Sequence, residues 1–110
     1  MNKVEERIVD LSLLLLFLNS WEEDGFDYDE NEELVKKKFR RTWKDCSYGV
    51  LKILDERGYI YNSYKSKSIV ICDEGVTKAL EIYESLYNEP YEMGLSWNEL
   101  ISFLTVSFLF

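Results

Sequence analysis

Apolar residues at Val4, Ile8, Leu11, Leu15 and Leu18 recur every three or four positions, with Leu13, Leu14, Leu16 and Phe17 widening the stripe. That pattern predicts a first helix, within residues 1–21, buried on most sides. Residues 22–33 hold eight acids and Gly25 and read as a solvated acidic loop. Asp29 with Glu32 three residues on is placed to cap a second helix over 31–43, with Leu34, Val35 and Phe39 as its seam. Asp45 or Ser47 caps a third helix from Tyr48 to Arg57, which Gly58 stops. The period then changes. Tyr59–Tyr61 and Ser68–Cys72 are β-branched and aromatic runs around polar turn residues, which predicts a two-stranded hairpin. Val76, Ala79, Leu80, Tyr83 and Leu86 mark a fourth helix over 73–87. Pro90 and Gly94 punctuate a linker, and the Ser96–Glu99 pair opens a last, strongly apolar helix.

These elements make one domain over 1–110, mainly α with a small antiparallel hairpin. Helix, helix, helix, strand, polar loop, strand, helix is the order of a winged helix-turn-helix. The winged-helix core is placed at 34–87 and the linker with its added C-terminal helix at 88–110.

Charge sharpens that reading. The chain carries −8, but residues 36–67 hold ten bases against three acids, while the remainder holds 18 acids and three bases. One basic zone on an acidic body points to nucleic acid. In a winged helix the third helix enters a major groove and the hairpin lies on the backbone. Lys44, Ser47, Tyr48, Lys52 and Arg57 are therefore the groove-facing candidates, Lys65 and Lys67 the hairpin candidates, and Lys36, Lys37, Lys38, Arg40 and Arg41 the backbone-holding ones. The same arrangement serves a protein-interaction module that never touches DNA, with Trp21, Trp43, Tyr59, Tyr61 and Tyr64 as anchors. Trp43 by itself reads as a core residue, because large aromatics bury so much area. Whether the ten bases share one face separates the two readings. A further expectation is that the acidic loop folds over Lys36–Arg41 and screens them.

The residues Arg41-Thr-Trp43-Lys44, Tyr48, Val50-Leu51, Leu54, Glu56, Gly58, Ile60, Ser66-Lys67-Ser68-Ile69, Glu74-Gly75 and Ala79 carry a resemblance to a small family of uncharacterised bacterial winged-helix proteins. The resemblance implies the fold. It implies little about function, because winged helices serve many ends.

Catalysis finds no foothold in the sequence. The chain has no histidine, Cys46 and Cys72 are too few for a zinc site, and no glycine-rich phosphate loop is present. Asp27, Asp29 and Asn31 alternate as calcium ligands do, but Glu32 and Lys38 stand where that loop needs glycine and glutamate. The expectation is a non-enzymatic protein without cofactor or metal, with no identifiable small-molecule ligand. Double-stranded DNA is its expected partner, as a regulator or an accessory of mobile DNA. The short apolar runs and Glu5 and Glu6 near the start give neither a membrane span nor a secretory signal, hence a cytoplasmic reading. The two cysteines read as reduced core thiols. The apolar C-terminal stretch points to a homodimer, with packing inside one chain as the competing expectation.

Overall fold

The computed structural model describes residues 1–92. The predicted last helix and its linker beyond Glu92 lie outside the described residues. Within them are three helices and four strands: α1 (Lys3–Leu18), β1 (Trp21–Tyr28), β2 (Leu34–Trp43), α2 (Tyr48–Glu56), β3 (Ile60–Tyr61), β4 (Ser68–Ile71) and α3 (Asp73–Tyr87). The strands form one antiparallel sheet in the order β1-β2-β4-β3.

This architecture overturns the mainly-α, winged-helix expectation. The predicted second helix over 31–43 is the strand β2, and the predicted acidic loop is largely the strand β1. Lys and Arg favour helices, but the acids of β1 offer β2 a partner that a solvated helix would lack. The register sets Glu22 opposite Arg40 and Asp24 opposite Lys38. Asp29, read as a helix cap, closes the hairpin instead. Its backbone amide donates to the Glu33 carbonyl, and its carboxylate accepts from the amides of Asn31 and Glu33. The same short acceptor serves a cap or a turn, so the residue type alone does not choose.

The other elements stand where the hydrophobic pattern predicts them, but α1 is not buried on most sides. It buries Val9, Leu13, Leu14, Leu16 and Phe17 and leaves the predicted stripe of Val4, Ile8, Leu11 and Leu15 exposed, because the other side of the helix faces α2, α3 and the sheet. Asn2 caps α1 by accepting from the Glu5 amide, and Ser47 caps α2 by accepting from the Val50 amide. Gly58 follows the end of α2 at φ +77°, where a side chain would be strained. The predicted strand pair and fourth helix coincide with β3–β4 and α3. The core lies between the helices and one face of the sheet. Val9, Leu13, Leu16 and Phe17 of α1 meet Leu51 and Leu54 of α2, Ile60, Ile69 and Ile71 of the strands, and Ala79 of α3. Gly75 lets the start of α3 press against the Tyr59 carbonyl, which a Cβ there would strike.

β2 joins β4 only through Arg40–Trp43. The rest of the β1–β2 pair therefore projects as a two-stranded ribbon. No helix among the described residues is long and apolar enough to cross a membrane.

Candidate interaction surface

Alternation along each strand assigns side chains to faces. Thr42, Ile69, Ile71 and Ile60 are buried on the helix-covered face. Their neighbours along the strands must point the other way. The register aligns Trp21, Arg41, Val70 and Tyr61 in one row across that second face, with Trp43 beside Ser68 in the next row and Phe39 opposite Glu23. Among the described residues no helix covers this face.

The rings of Trp21 and Trp43 stand 5.1 Å apart, centroid to centroid. Trp43 is 53% exposed and Tyr61 64% exposed. The expectation that Trp43 is a core residue therefore fails: its strand position directs it away from the helices. Tyr59, by contrast, packs half-buried against the core. An open groove of about 560 Å³ continues from this face towards the start of α3, with Lys37, Phe39, Tyr61, Val70, Asp73 and Glu74 on its walls. At the opposite end Lys44 Nζ donates to the Ser63 carbonyl at 2.8 Å, and the hydroxyls of Tyr48 and Tyr64 lie 3.2 Å apart. That hydrogen bond pushes the Tyr64 hydroxyl above its ordinary pKa.

The basic candidates do not gather on one surface. Lys37 and Arg41 lie on the uncovered face, whereas Lys36, Lys38 and Arg40 point to the opposite side of the same strand. Several are already engaged within the chain. Lys37 lies 3.7 Å from Asp27 and 3.6 Å from Asp73, Lys38 lies 3.8 Å from Glu22, and Arg41 lies 2.9 Å from Glu23. Arg40 is largely buried at the root of the ribbon. Its guanidinium donates to Ser20 Oγ at 2.7 Å and sits over the Phe17 ring at 5.0 Å. Ser20 Oγ in turn donates to the Phe17 carbonyl, so Arg40 ties the sheet to the end of α1. Arg57 binds Glu6 through paired contacts, and Ser47 is used as a helix cap. Lys36, Lys52, Lys65 and Lys67 are exposed and form no ion pair among the described residues.

The screening of Lys36–Arg41 by the acidic segment takes the form of strand pairing, not of a loop folded across them. Opposite charges face one another across β1 and β2, and each such pair holds the ribbon while occupying a base that phosphate would need.

Cys46 and Cys72 are free and half-buried, less enclosed than core thiols. Burial pushes both thiols above their ordinary pKa, with Asp45 adding to the effect at Cys46 and Glu74 and Asp73 at Cys72. At neutral pH both are therefore poor nucleophiles. No group of three or more His, Cys, Asp or Glu side chains among the described residues is placed to hold a metal ion.

Residues 4–89 match the family described as "Domain of unknown function (DUF6429)", and the chain belongs to that family. No curated protein and no solved structure matches it. The resemblance to an uncharacterised small-protein family stands at that level, and the winged-helix part of it does not.

Proposed function

We propose that this chain is a non-enzymatic protein-interaction module whose contact surface is the uncovered face of its sheet. The observation that carries the reading is the aromatic content of that face: Trp21, Trp43, Phe39 and Tyr61 stand in neighbouring rows on a face that the helices leave open among the described residues. Interface cores are enriched in large aromatics and depleted in lysine, because rigid rings bury much area at little entropic cost. The division of the bases between two faces supports the same reading. So does their pairing with β1, which lowers the charge available for phosphate.

Nucleic acid remains a second reading, favoured by one observation. Lys65 and Lys67 follow the exposed Tyr64 in the loop that leads to Ser68, the residue opposite Trp43, and aromatic platforms edged by lysines suit the stacked bases of a single strand. Duplex DNA is favoured less, because the helix that would brace a groove-reading α2 is the strand β2.

A photo-cross-linking residue in place of Tyr61, in the cell of origin, should trap a discrete protein partner. Trp43→Ala in the same chain should abolish the adduct. In parallel, anisotropy of labelled single-stranded and duplex DNA between about 50 and 200 mM salt should show no binding. Single-strand binding that weakens steeply with salt, at a log–log slope near −0.7 per phosphate, would replace the protein reading with the nucleic-acid one.

A further inference from the structure

β1 is the outermost strand of the sheet on one side, so one of its two edges faces away from β2. The hydrogen-bond pattern fixes which backbone groups that edge presents. At the hairpin end the Asp29 amide donates to the Glu33 carbonyl, and bonded and unbonded pairs alternate along an antiparallel ladder. Counting back from that bond, Asp27, Gly25, Glu23 and Trp21 bond to β2, while Tyr28, Phe26, Asp24 and Glu22 turn their amides and carbonyls outward. A count from the far side of the sheet agrees. The Cys72 amide donates to the Tyr59 carbonyl, which sets Ile71 bonding to Arg40 and leaves Arg40 unbonded to Glu22. The Tyr28 amide is taken by the Asp27 carboxylate at 2.8 Å. Among the described residues, the outward amides of Glu22, Asp24 and Phe26 have no partner, and all three residues are exposed.

We propose that this edge takes a further strand, an extended basic segment of a partner protein that pairs along β1. Three observations select that occupant. The first is the row of outward ladder groups at every second residue, which an extended backbone satisfies in full. The second is the lack of the usual guards. Exposed edges are commonly blunted by proline, lysine or a bulge, yet β1 has neither residue, and its register with β2 runs unbroken from Trp21 to Tyr28. The third is charge. Paired about a two-fold axis in either of the most complete registers, two copies of β1 would set Asp24 against Asp24, or Glu23 against Asp27. Like charges directly opposite are destabilising, so the acids guard this edge against a second copy and favour a strand with Lys or Arg facing them. Asp24 forms no ion pair among the described residues and is free to take such a base. The chain's own C-terminal stretch cannot supply one, because no Lys or Arg follows Lys78. The edge is separate from the aromatic face, and the inference stands independently of what that face binds.

The test titrates the full-length, ¹⁵N-labelled chain with a synthetic peptide of alternating lysine and valine, as long as the 8 residues of β1. Amide exchange should slow at Glu22, Asp24 and Phe26, and much less at Glu23 and Gly25, which already bond to β2. The same peptide methylated at every backbone nitrogen keeps its charge but cannot pair, and should bind at least about tenfold more weakly. Equal binding of the two peptides, protection centred elsewhere, or no binding at about 1 mM peptide would each overturn the proposal. Two variants separate ladder from charge. Asp24→Pro removes an outward amide that β2 does not use, and should abolish binding. Asp24→Asn keeps the amide, and should weaken binding only about two- to fivefold. Equal losses in both would reduce the contact to charge and overturn the strand. Should Asp24→Pro loosen the ribbon, the methylated peptide on the parent chain decides. Trp43→Ala should leave the affinity unchanged, and its loss there would move the peptide to the sheet face and overturn the edge.

Discussion

Where the helices meet the sheet, Leu54, Ile60, Ile69 and Ala79 lose almost all contact with water. On the outer half of the ribbon, Asp24, Phe26, Lys36 and Lys38 remain exposed on both strands. The body is thus held by area removed from water, worth about 25 cal/mol per Å². The ribbon is held by backbone ladders and by cross-strand pairs, each worth about 0.2–1 kcal/mol. A two-stranded ribbon alone is marginal in water. This one is anchored because Arg40 binds Ser20 and covers Phe17 at its root. The basic strand that reads in sequence as a phosphate contact is, in the fold, half of a charge-matched pair.

The largest effect expected from this contrast is on core truncation. Leu54 is fully enclosed, so Leu54→Ala should cost about 2–5 kcal/mol, from lost transfer energy and the cavity left behind. Phe26 is 66% exposed on the ribbon, and Phe26→Ala should stay within about 0.5 kcal/mol of the parent. Urea unfolding of both variants measures the difference. Equal losses would mean that the ribbon is as strongly held as the body.

The body was largely legible in the sequence because one signal dominates there. Apolar residues in α1, and Val76, Ala79 and Leu80 in α3, repeat at the helical period, and Ile69-Val70-Ile71 reads as a strand. The period shows the helix but not its buried side: the stripe Val4, Ile8, Leu11 and Leu15 stays exposed, because apolar residues lie nearly all round α1 and only its neighbours decide which side is covered. The ribbon was not legible, because Lys and Arg occupy both faces of β2 and erase the apolar–polar alternation that marks a strand. What remained was relational: eight acids lie one turn's length ahead of five bases, with Asp29 able to close the turn. That signal appears only when the two segments are read as partners. Taken separately, one reads as a loop and the other as a helix. The candidate site suffered accordingly. Trp21, Trp43 and Tyr61 read as anchors in the sequence, but Phe39 reads there as part of a helix seam, and Trp43 faces outward only because the residues of β2 alternate. The five bases of β2 are close in sequence but not on one surface, because a strand sends neighbours to opposite faces.

A salt series sharpens the contrast at intermediate size. Exposed ion pairs such as Lys38–Glu22 and Lys37–Asp27 are screened as the Debye length shrinks, from about 10 Å at 0.1 M to about 3 Å at 1 M. Hydrogen exchange of amides in residues 24–38 should therefore speed up about two- to tenfold over that range, following the modest worth of each pair. Amides of Leu51–Leu54 should change little, since apolar burial does not depend on screening. Uniform acceleration across both regions would show that the ribbon and the body open together.

The smallest expected effect lies inside the body, at a contact there that behaves as the ribbon does. Glu6 of α1 accepts from both terminal nitrogens of Arg57, at 2.8 and 3.3 Å, and so ties α1 to the end of α2. The hydrogen bonds from Arg57 hold the Glu6 carboxyl below its ordinary value. A carboxylate depressed in the folded state contributes stability that is complete above the unfolded value. That contribution fades as pH falls through the folded one. The window therefore lies below about pH 4.5, the ordinary glutamate position. Glu6→Gln should lower stability slightly at neutral pH, and the gap from the parent should close as the parent's own carboxyl protonates below that point. Because the pair is solvent-exposed, it should also shrink in high salt. Melting curves of both chains across that acid range, at low and high salt, give the comparison. A gap that persisted unchanged into acid would mean that the charge of Glu6 does not carry its contact with Arg57.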